Sequence, residues 1–173
     1  MAKMLILVRH GKAQSRDLGL PDFERQLTGA GKRSLKAWLE KSARLAASEE
    51  ATSFELWASP AARTMQTAQI VAAVWGKRIK GFPKKPESSN ALYEGDSYAL
   101  LDAVAQSSAD AVVVCGHNPQ IELLCAHLTG CDITFATGGV AALALGSSNR
   151  EQQPARLLWF VQGPDSHKWK KHD

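Results

Sequence analysis

The segment MLILVRHG, residues 4–11, constrains this chain more than any other. Five consecutive apolar residues, Met4 to Val8, leave no polar face. A strand without a polar face must be covered on both sides, as in a parallel sheet sandwiched between helices. The run ends at once in Arg9 and His10. The carboxyl ends of such strands are where open α/β sheets bind their ligands. The first residues therefore ask for a layered α/β fold and mark its functional edge.

The rest of the chain alternates in the same way. Residues 10–26 are polar, with Gly19 and Pro21, and read as a loop. A helix is expected over 27–48, with Thr28 as N-cap. Its buried face is Leu35, Trp38, Leu39, Ser42, Leu45 and Ala46, at the spacing of one helical side. FELWAS (54–59) reads as a second strand, and Pro60 as the start of a helix running to Trp75 with Thr64, Thr67, Ala68, Val71 and Ala72 facing inward. A basic connection, 77–89, has room for a short strand at Ile79. A short helix over 97–106 and a third buried strand over 110–118 follow. PQIELLCAHLTG (119–130) reads as a helix with Pro119 in its first turn and Gly130 ending it. VAALALG (140–146) and ARLLWFVQ (155–162) read as an antiparallel strand pair around the polar turn SSNREQQP. The expected architecture is a three-layer α/β/α sandwich with a mostly parallel central sheet.

A length of 173 residues suits a single domain, placed at 1–163, with a basic tail over 164–173 expected to be disordered. The net charge of +4 favours anionic partners. No apolar run approaches the roughly 18 residues that cross a bilayer. The amino terminus does not read as a signal peptide, so the expectation is a cytoplasmic monomer without membrane contact. Cys115, Cys125 and Cys131 are odd in number and read as reduced thiols, the first two as core residues. A zinc site from Cys115, His117, Cys125 and His127 has no familiar ligand spacing and is disfavoured. The basic stretches GKRIKGFPKK and HKWKKH contain only Phe82 and Trp169 as aromatics, a poor nucleic-acid signature.

Three strand ends carry the chemistry. The first delivers Arg9 and His10. The second delivers Ser59 and Pro60, with Arg63 just inside the next helix. The third delivers Gly116, His117 and Asn118. Two guanidiniums beside two imidazoles suit a phosphoryl group, because Arg binds phosphate oxygens with a rigid fork and keeps its charge at working pH. A neutral imidazole is a competent nucleophile toward phosphorus. The arginines supply positive charge that a metal would otherwise supply, so no cofactor or metal is expected. No GxxxxGK[ST] loop occurs in the chain, which argues against nucleoside-triphosphate hydrolysis.

These same residues resemble a known family. LVRHGKA (7–13) resembles the Arg-His-Gly signature of the histidine phosphatase superfamily, also called phosphoglycerate mutase-like. ASPAARTMQTA (58–68) and VVVCGHNPQIELL (112–124) resemble its second and third elements. With DFERQLTGAGKR (22–33) and ATGGVAAL (136–143), the pattern is most similar to SixA-like phosphohistidine phosphatases. Gln26 stands where relatives commonly carry Pro.

The resemblance implies a catalytic set of His10, Arg9, Arg63 and His117. His10 would be the nucleophile, forming a phosphohistidine intermediate that water hydrolyses. Arg9, Arg63 and His117 would hold the phosphoryl oxygens. Glu94, in ALYEGD, is the candidate general acid; it reads equally well as a solvated turn residue. Lys12, Arg16 and Arg25 could line the mouth of the site, though each alone reads better as a solvated loop charge. The short span between Arg63 and His117 leaves little room for a lid. The expected substrate is a phosphorylated protein, with a histidine phosphotransfer domain as the family-based choice. A phosphatase of small phosphomonoesters and a non-catalytic phosphoprotein-binding module are the alternatives.

Overall fold

A computed structural model describes residues 4–146 and 155–164. The turn 147–154 and the tail from 165 onward lie outside the described residues. Strand β1 (Met4–Arg9) is central, in a six-stranded sheet with β2 (Phe54–Ala58), β3 (Glu87–Ser88), β4 (Ala111–Gly116), β5 (Val140–Ala144) and β6 (Arg156–Val161). The order is β3-β2-β4-β1-β5-β6. The first four of these run parallel; β5 is antiparallel to both β1 and β6.

The apolar run of β1 is divided between two cores by the two-residue period of a strand. Met4, Ile6 and Val8 enter the core under α1 (Gly29–Ala47) and α2 (Ala62–Trp75). Leu5 and Leu7 enter the opposite core, under α3 (Ala91–Glu94), α4 (Ser97–Gln106) and α5 (Gln120–Thr129). Leu5 through Val8 are wholly buried. Each such aliphatic side chain contributes about 1.5–3 kcal/mol. The expected three-layer sandwich is the observed one. Cys115 and Cys125 occupy these two cores on opposite sides of the sheet. No helix among the described residues is long and apolar enough to cross a membrane.

Thr28 caps α1, its Oγ1 accepting from the Gly31 amide at 2.9 Å. Within the expected buried face, Leu35, Leu39, Ser42 and Ala46 are buried, whereas Trp38 and Leu45 are only half-buried. Ala43 also joins the core. Three boundaries differ from expectation. Pro60 does not open α2, which starts at Ala62 with Ala61 as N-cap; Thr64 Oγ1 instead ties back to the carbonyls of Ser59 and Ala61 at 2.8 and 2.7 Å. Pro119 is the N-cap of α5 rather than a first-turn residue. Ile79 lies in a buried turn continuing α2, its amide donating to the Trp75 carbonyl, and the short strand is Glu87–Ser88. The one-turn α3 has no counterpart in the sequence reading. The loop over 10–26 holds two 3₁₀ turns, Arg16–Leu18 and Asp22–Glu24, and is tied by a bridge between Ala13 and Leu27.

Sheet register sets up the functional edge. Arg9 lies beside Gly116, and Ala58 beside Cys115, so three strand ends finish level. The amide of His10 donates to the Gly116 carbonyl at 3.1 Å, and that of Ser59 to Cys115 at 3.0 Å. The loop before β5 closes the other side: the Gly138 amide meets the carbonyls of Arg9 and His10 at 3.2 and 3.0 Å. Gly138 does so at φ +81°, a left-handed conformation natural to glycine.

Candidate active site

β1 stops at Arg9, so His10 is already outside the strand. Adjacent strand residues point to opposite faces. Ending the strand at this pair lets both line one cavity of about 320 Å³. Gly11, which follows the pair, does not take a positive φ. Its role is space: a Cβ there would lie 2.9 Å from Leu35 Cδ2, so glycine lets the chain pass close to α1. The Gly11 amide is held by Thr67 Oγ1 of α2 at 3.0 Å.

The cavity brings Arg9, His10, Arg63 and His117 together with Lys12, Ala13, Arg16, Arg25, Asn118 and Thr137. Among the described residues, none that lines it is a carboxylate. A larger groove of about 520 Å³ lies alongside, lined by Leu20, Phe23, Pro60 and their neighbours, and has no imidazole, thiol or guanidinium. The imidazoles and guanidiniums line the smaller cavity.

Hydrogen bonding assigns the protons on the two imidazoles. His10 Nδ1 lies 2.7 Å from the Gly11 carbonyl, which can only accept. Nδ1 therefore carries the hydrogen and Nε2 keeps its lone pair. His117 Nδ1 lies 3.1 Å from Arg63 Nη2, which can only donate, so this nitrogen accepts. His117 Nε2 then donates to Ser59 Oγ at 2.8 Å. The two rings meet edge to face with centroids 5.5 Å apart. Burial pushes the His10 pKa down to about 3, opposed by the Gly11 carbonyl and assisted by His117, Arg63 and Arg9. Burial and then Arg63 push His117 down to about 4. Both rings are neutral at neutral pH.

The guanidiniums are anchored. Arg9 donates to the Phe135 carbonyl. Glu122 Oε1 accepts from Asn118 Nδ2 at 2.6 Å and from the Phe135 amide at 2.8 Å, fixing the acceptor that Arg9 uses. Arg63 is buried and donates to Asp22 twice, Nη1 to the carbonyl at 2.6 Å and Nη2 to the carboxylate at 2.8 Å. Arg25 and Arg16 reach the same carboxylate at 3.2 and 3.8 Å. Burial pushes the Asp22 carboxyl up, but the bond and charge of Arg63, with Arg25 and Arg16, outweigh it and hold the group below its usual range. Arg25 is thus a buried, paired residue and not the solvated charge expected of it. The Nε atoms of Arg9, Arg25 and Arg63 are buried with no acceptor among the described residues. Such a cluster favours a compact oxyanion.

Glu94 ends α3 in an exposed position and does not line the cavity. Asp96, close behind it, caps α4 by accepting from the Ala99 amide at 2.9 Å. The residue of this segment beside the site is Tyr93, 6.3 Å from the His117 ring centre. Asp22, Glu122 and Tyr93 were not singled out by sequence reasoning. The available signal was Asp22, three residues before Arg25 in a loop between the strand-end motifs.

This arrangement on this fold defines a class. Residues 5–99 match the model of the histidine phosphatase superfamily (branch 1), more than half of the chain, and the chain belongs to that family. Among solved structures, it is similar to SixA from Agrobacterium tumefaciens, with 27% identity over 93% of this chain and 98% of that one, at a TM-score of 0.70. Two others share the fold. The protein histidine phosphatase SixA complexed with tungstate has 23% identity, covering 92% and 96% of the two chains, at a TM-score of 0.68. SixA from Nakamurella multipartitia has 24% identity, covering 95% and 98%, at 0.69. No curated protein sequence matches the chain significantly.

Proposed function

We propose that the chain is a metal-independent phosphatase acting through a phosphohistidine at His10, with phosphohistidine on a protein as its substrate. The observation that carries this reading is the His10 ring. Its Nδ1–H is spent on the Gly11 carbonyl, so the Nε2 lone pair is the nucleophile, held neutral among Arg9, Arg25 and Arg63. Nε2 forms a bond to phosphorus while the bond to the leaving nitrogen breaks, its electron pair going to that nitrogen. Water then attacks phosphorus, the Nε2–P bond breaks back onto His10, and inorganic phosphate departs. The guanidiniums stabilise charge on the equatorial oxygens in both steps.

The substrate class follows from the leaving group. An alkoxide needs a proton from an acid, and no carboxylate lines this cavity among the described residues. A phosphorylated imidazole protonated on its other nitrogen leaves as neutral imidazole, with water as the proton source; imidazole titrates near 6.5. The structures named above as SixA support the same choice at modest identity. Hydrolysis of a phosphohistidine protein and of p-nitrophenyl phosphate, in EDTA, tests the reading for the parent protein and His10→Ala. The parent should release phosphate from the phosphohistidine protein and form an acid-labile phosphoenzyme; His10→Ala should do neither. Turnover of the ester alone would move the assignment to small phosphomonoesters.

A further inference from the structure

Four rings form a series from the floor of the site to the surface. His10 meets His117 at 5.5 Å between centroids, His117 meets Tyr93 at 6.3 Å, and Tyr93 meets Phe23 at 5.3 Å. All three contacts are edge to face. The outer two rings come from different elements, Tyr93 from α3 and Phe23 from the 3₁₀ turn over 22–24; Phe23 lines the groove beside the 320 Å³ cavity, and Tyr93 meets the site through His117.

Both are tied to the catalytic machinery. Phe23 follows Asp22, which grips Arg63 through its carbonyl and its carboxylate. Tyr93 follows Leu92, which is 1% exposed in the core, and α3 is further held by Gln120 Nε2 on the Ala91 carbonyl at 3.2 Å. Yet Phe23 and Tyr93 keep 43% and 44% of their surface exposed. Large aromatic side chains usually bury more than this, and two firmly based rings left open beside His117 are placed to receive a partner.

In-line displacement puts the leaving group opposite the attacking nitrogen. The leaving group therefore lies on the side of phosphorus away from His10, and of the four rings Tyr93 and Phe23 are the two left exposed to solvent. We propose that Tyr93 and Phe23 form a recognition wall for a planar leaving group, the imidazole ring of the phosphohistidine substrate. The ring gains offset or edge-to-face contact with Tyr93, and its cationic, protonated form gains attraction to the aromatic faces. The protonated form is the one that leaves as neutral imidazole, so the wall favours the reactive ionisation state. Asp22 links the two functions, since one residue orients Arg63 and sets the position of Phe23.

This inference rests on the phosphohistidine reading, and a pair of P–N substrates separates the two. Free phosphohistidine carries the ring; phosphoramidate has the same P–N bond and no ring. The measured quantity is the ratio of kcat/KM for phosphohistidine over phosphoramidate. Tyr93→Ala should lower this ratio about tenfold, and Phe23→Ala by a smaller factor. Tyr93→Phe should hold it within about twofold, because the ring and not the hydroxyl makes the contact. Turnover of phosphoramidate by each variant shows that it is folded. An unchanged ratio in Tyr93→Ala, or an equal loss on both substrates, overturns the wall and leaves the phosphatase reading standing. A parent protein that hydrolyses a phosphohistidine protein but neither P–N compound overturns the wall alone, because a contact with the ring would act on free phosphohistidine too; one that hydrolyses none of the three overturns the reading and the wall together.

Discussion

Asp22 holds Arg63 at two points: its carbonyl accepts from Nη1 at 2.6 Å and its carboxylate from Nη2 at 2.8 Å. The remaining reach of Nη2, at 3.1 Å, is to His117 Nδ1. The guanidinium plane is thereby fixed by a loop residue and an imidazole together. A buried fork with two anchors has little orientational freedom left, which is what transition-state binding requires.

Asp22→Asn keeps the backbone contact and removes the charge; Asp22→Ala removes the side-chain anchor altogether. The first should lower kcat/KM about 10-fold and the second about 100-fold, the scale of a misplacement near 1 Å. Because Arg25 and Arg16 share the carboxylate, three like charges lose their common partner in both variants. Steady-state kinetics on a phosphohistidine protein checks this. Values within twofold of the parent for both would show that Arg63 is held well enough without Asp22.

The two imidazoles set a pH prediction. His10 and His117 titrate at about 3 and about 4 in the folded protein, below the ordinary value of about 6.5 for the unfolded chain. Between pH 6.5 and those values the unfolded state binds more protons. Stability is therefore greatest above pH 6.5 and declines as pH falls toward about 4 and then 3. Ring-nitrogen NMR should find both imidazoles neutral from pH 8 to 5, where an unperturbed histidine would be about 97% protonated at the lower end. His10→Gln, which cannot titrate here, should flatten the fall in denaturation midpoint. Ring protonation centred near pH 6.5 in the folded protein would overturn the burial argument.

The parts of the fold that the sequence displays are those in which a single element satisfies its own periodicity. β1 and β4 are continuous apolar runs, and α1 carries its cap and face in order. Arg9, His10 and His117 were legible because sheet register brings the strand ends level, and Arg63 because its helix starts soon after β2 ends. β3 was not: Glu87 and Ser88 are exposed, and pairing with Trp57 and Ala58 makes them a strand. Arg25 looked solvated because its neutralising partner matters only once the loop folds. Asp22 contacts Arg63 across 41 positions, a distance no local pattern encodes. The requirement for glycine at position 11 comes from Leu35 on another element, which no local pattern shows.

Two glycines in one helical turn should respond with opposite signs. Both lie in the first turn of α1, where Ala is favoured over Gly by about 1 kcal/mol. At Gly29 the nearest atom to an added Cβ is Arg33 Nη1 at 3.6 Å, ordinary contact with a movable group. At Gly31 the Cβ would stand 2.4 Å from the Lys12 carbonyl oxygen and 2.9 Å from Thr28 Oγ1, the capping atom. Gly29→Ala should gain up to about 1 kcal/mol. Gly31→Ala should lose about 1–3 kcal/mol as helix and loop are forced apart. Urea denaturation midpoints decide it. Equal shifts of the same sign would show that helix propensity outweighs the contact with the loop after β1.

Glu94 provides the last test, because it separates two ways of handling the leaving group. A general acid must reach the departing atom; Glu94 is exposed and does not line the cavity, and the side chain of α3 that meets His117 is Tyr93. Glu94→Gln should therefore leave kcat/KM for phosphohistidine within about twofold, whereas loss of a true general acid costs about 100-fold or more. An alkyl phosphate sharpens the comparison, since its alkoxide needs protonation far more than an imidazole does. On that substrate the parent protein should be slow and Glu94→Gln equally slow. A 100-fold loss confined to the alkyl phosphate would mean that Glu94 reaches the leaving oxygen when such a substrate binds, and the site would then be an esterase with its own acid rather than one suited to P–N bonds.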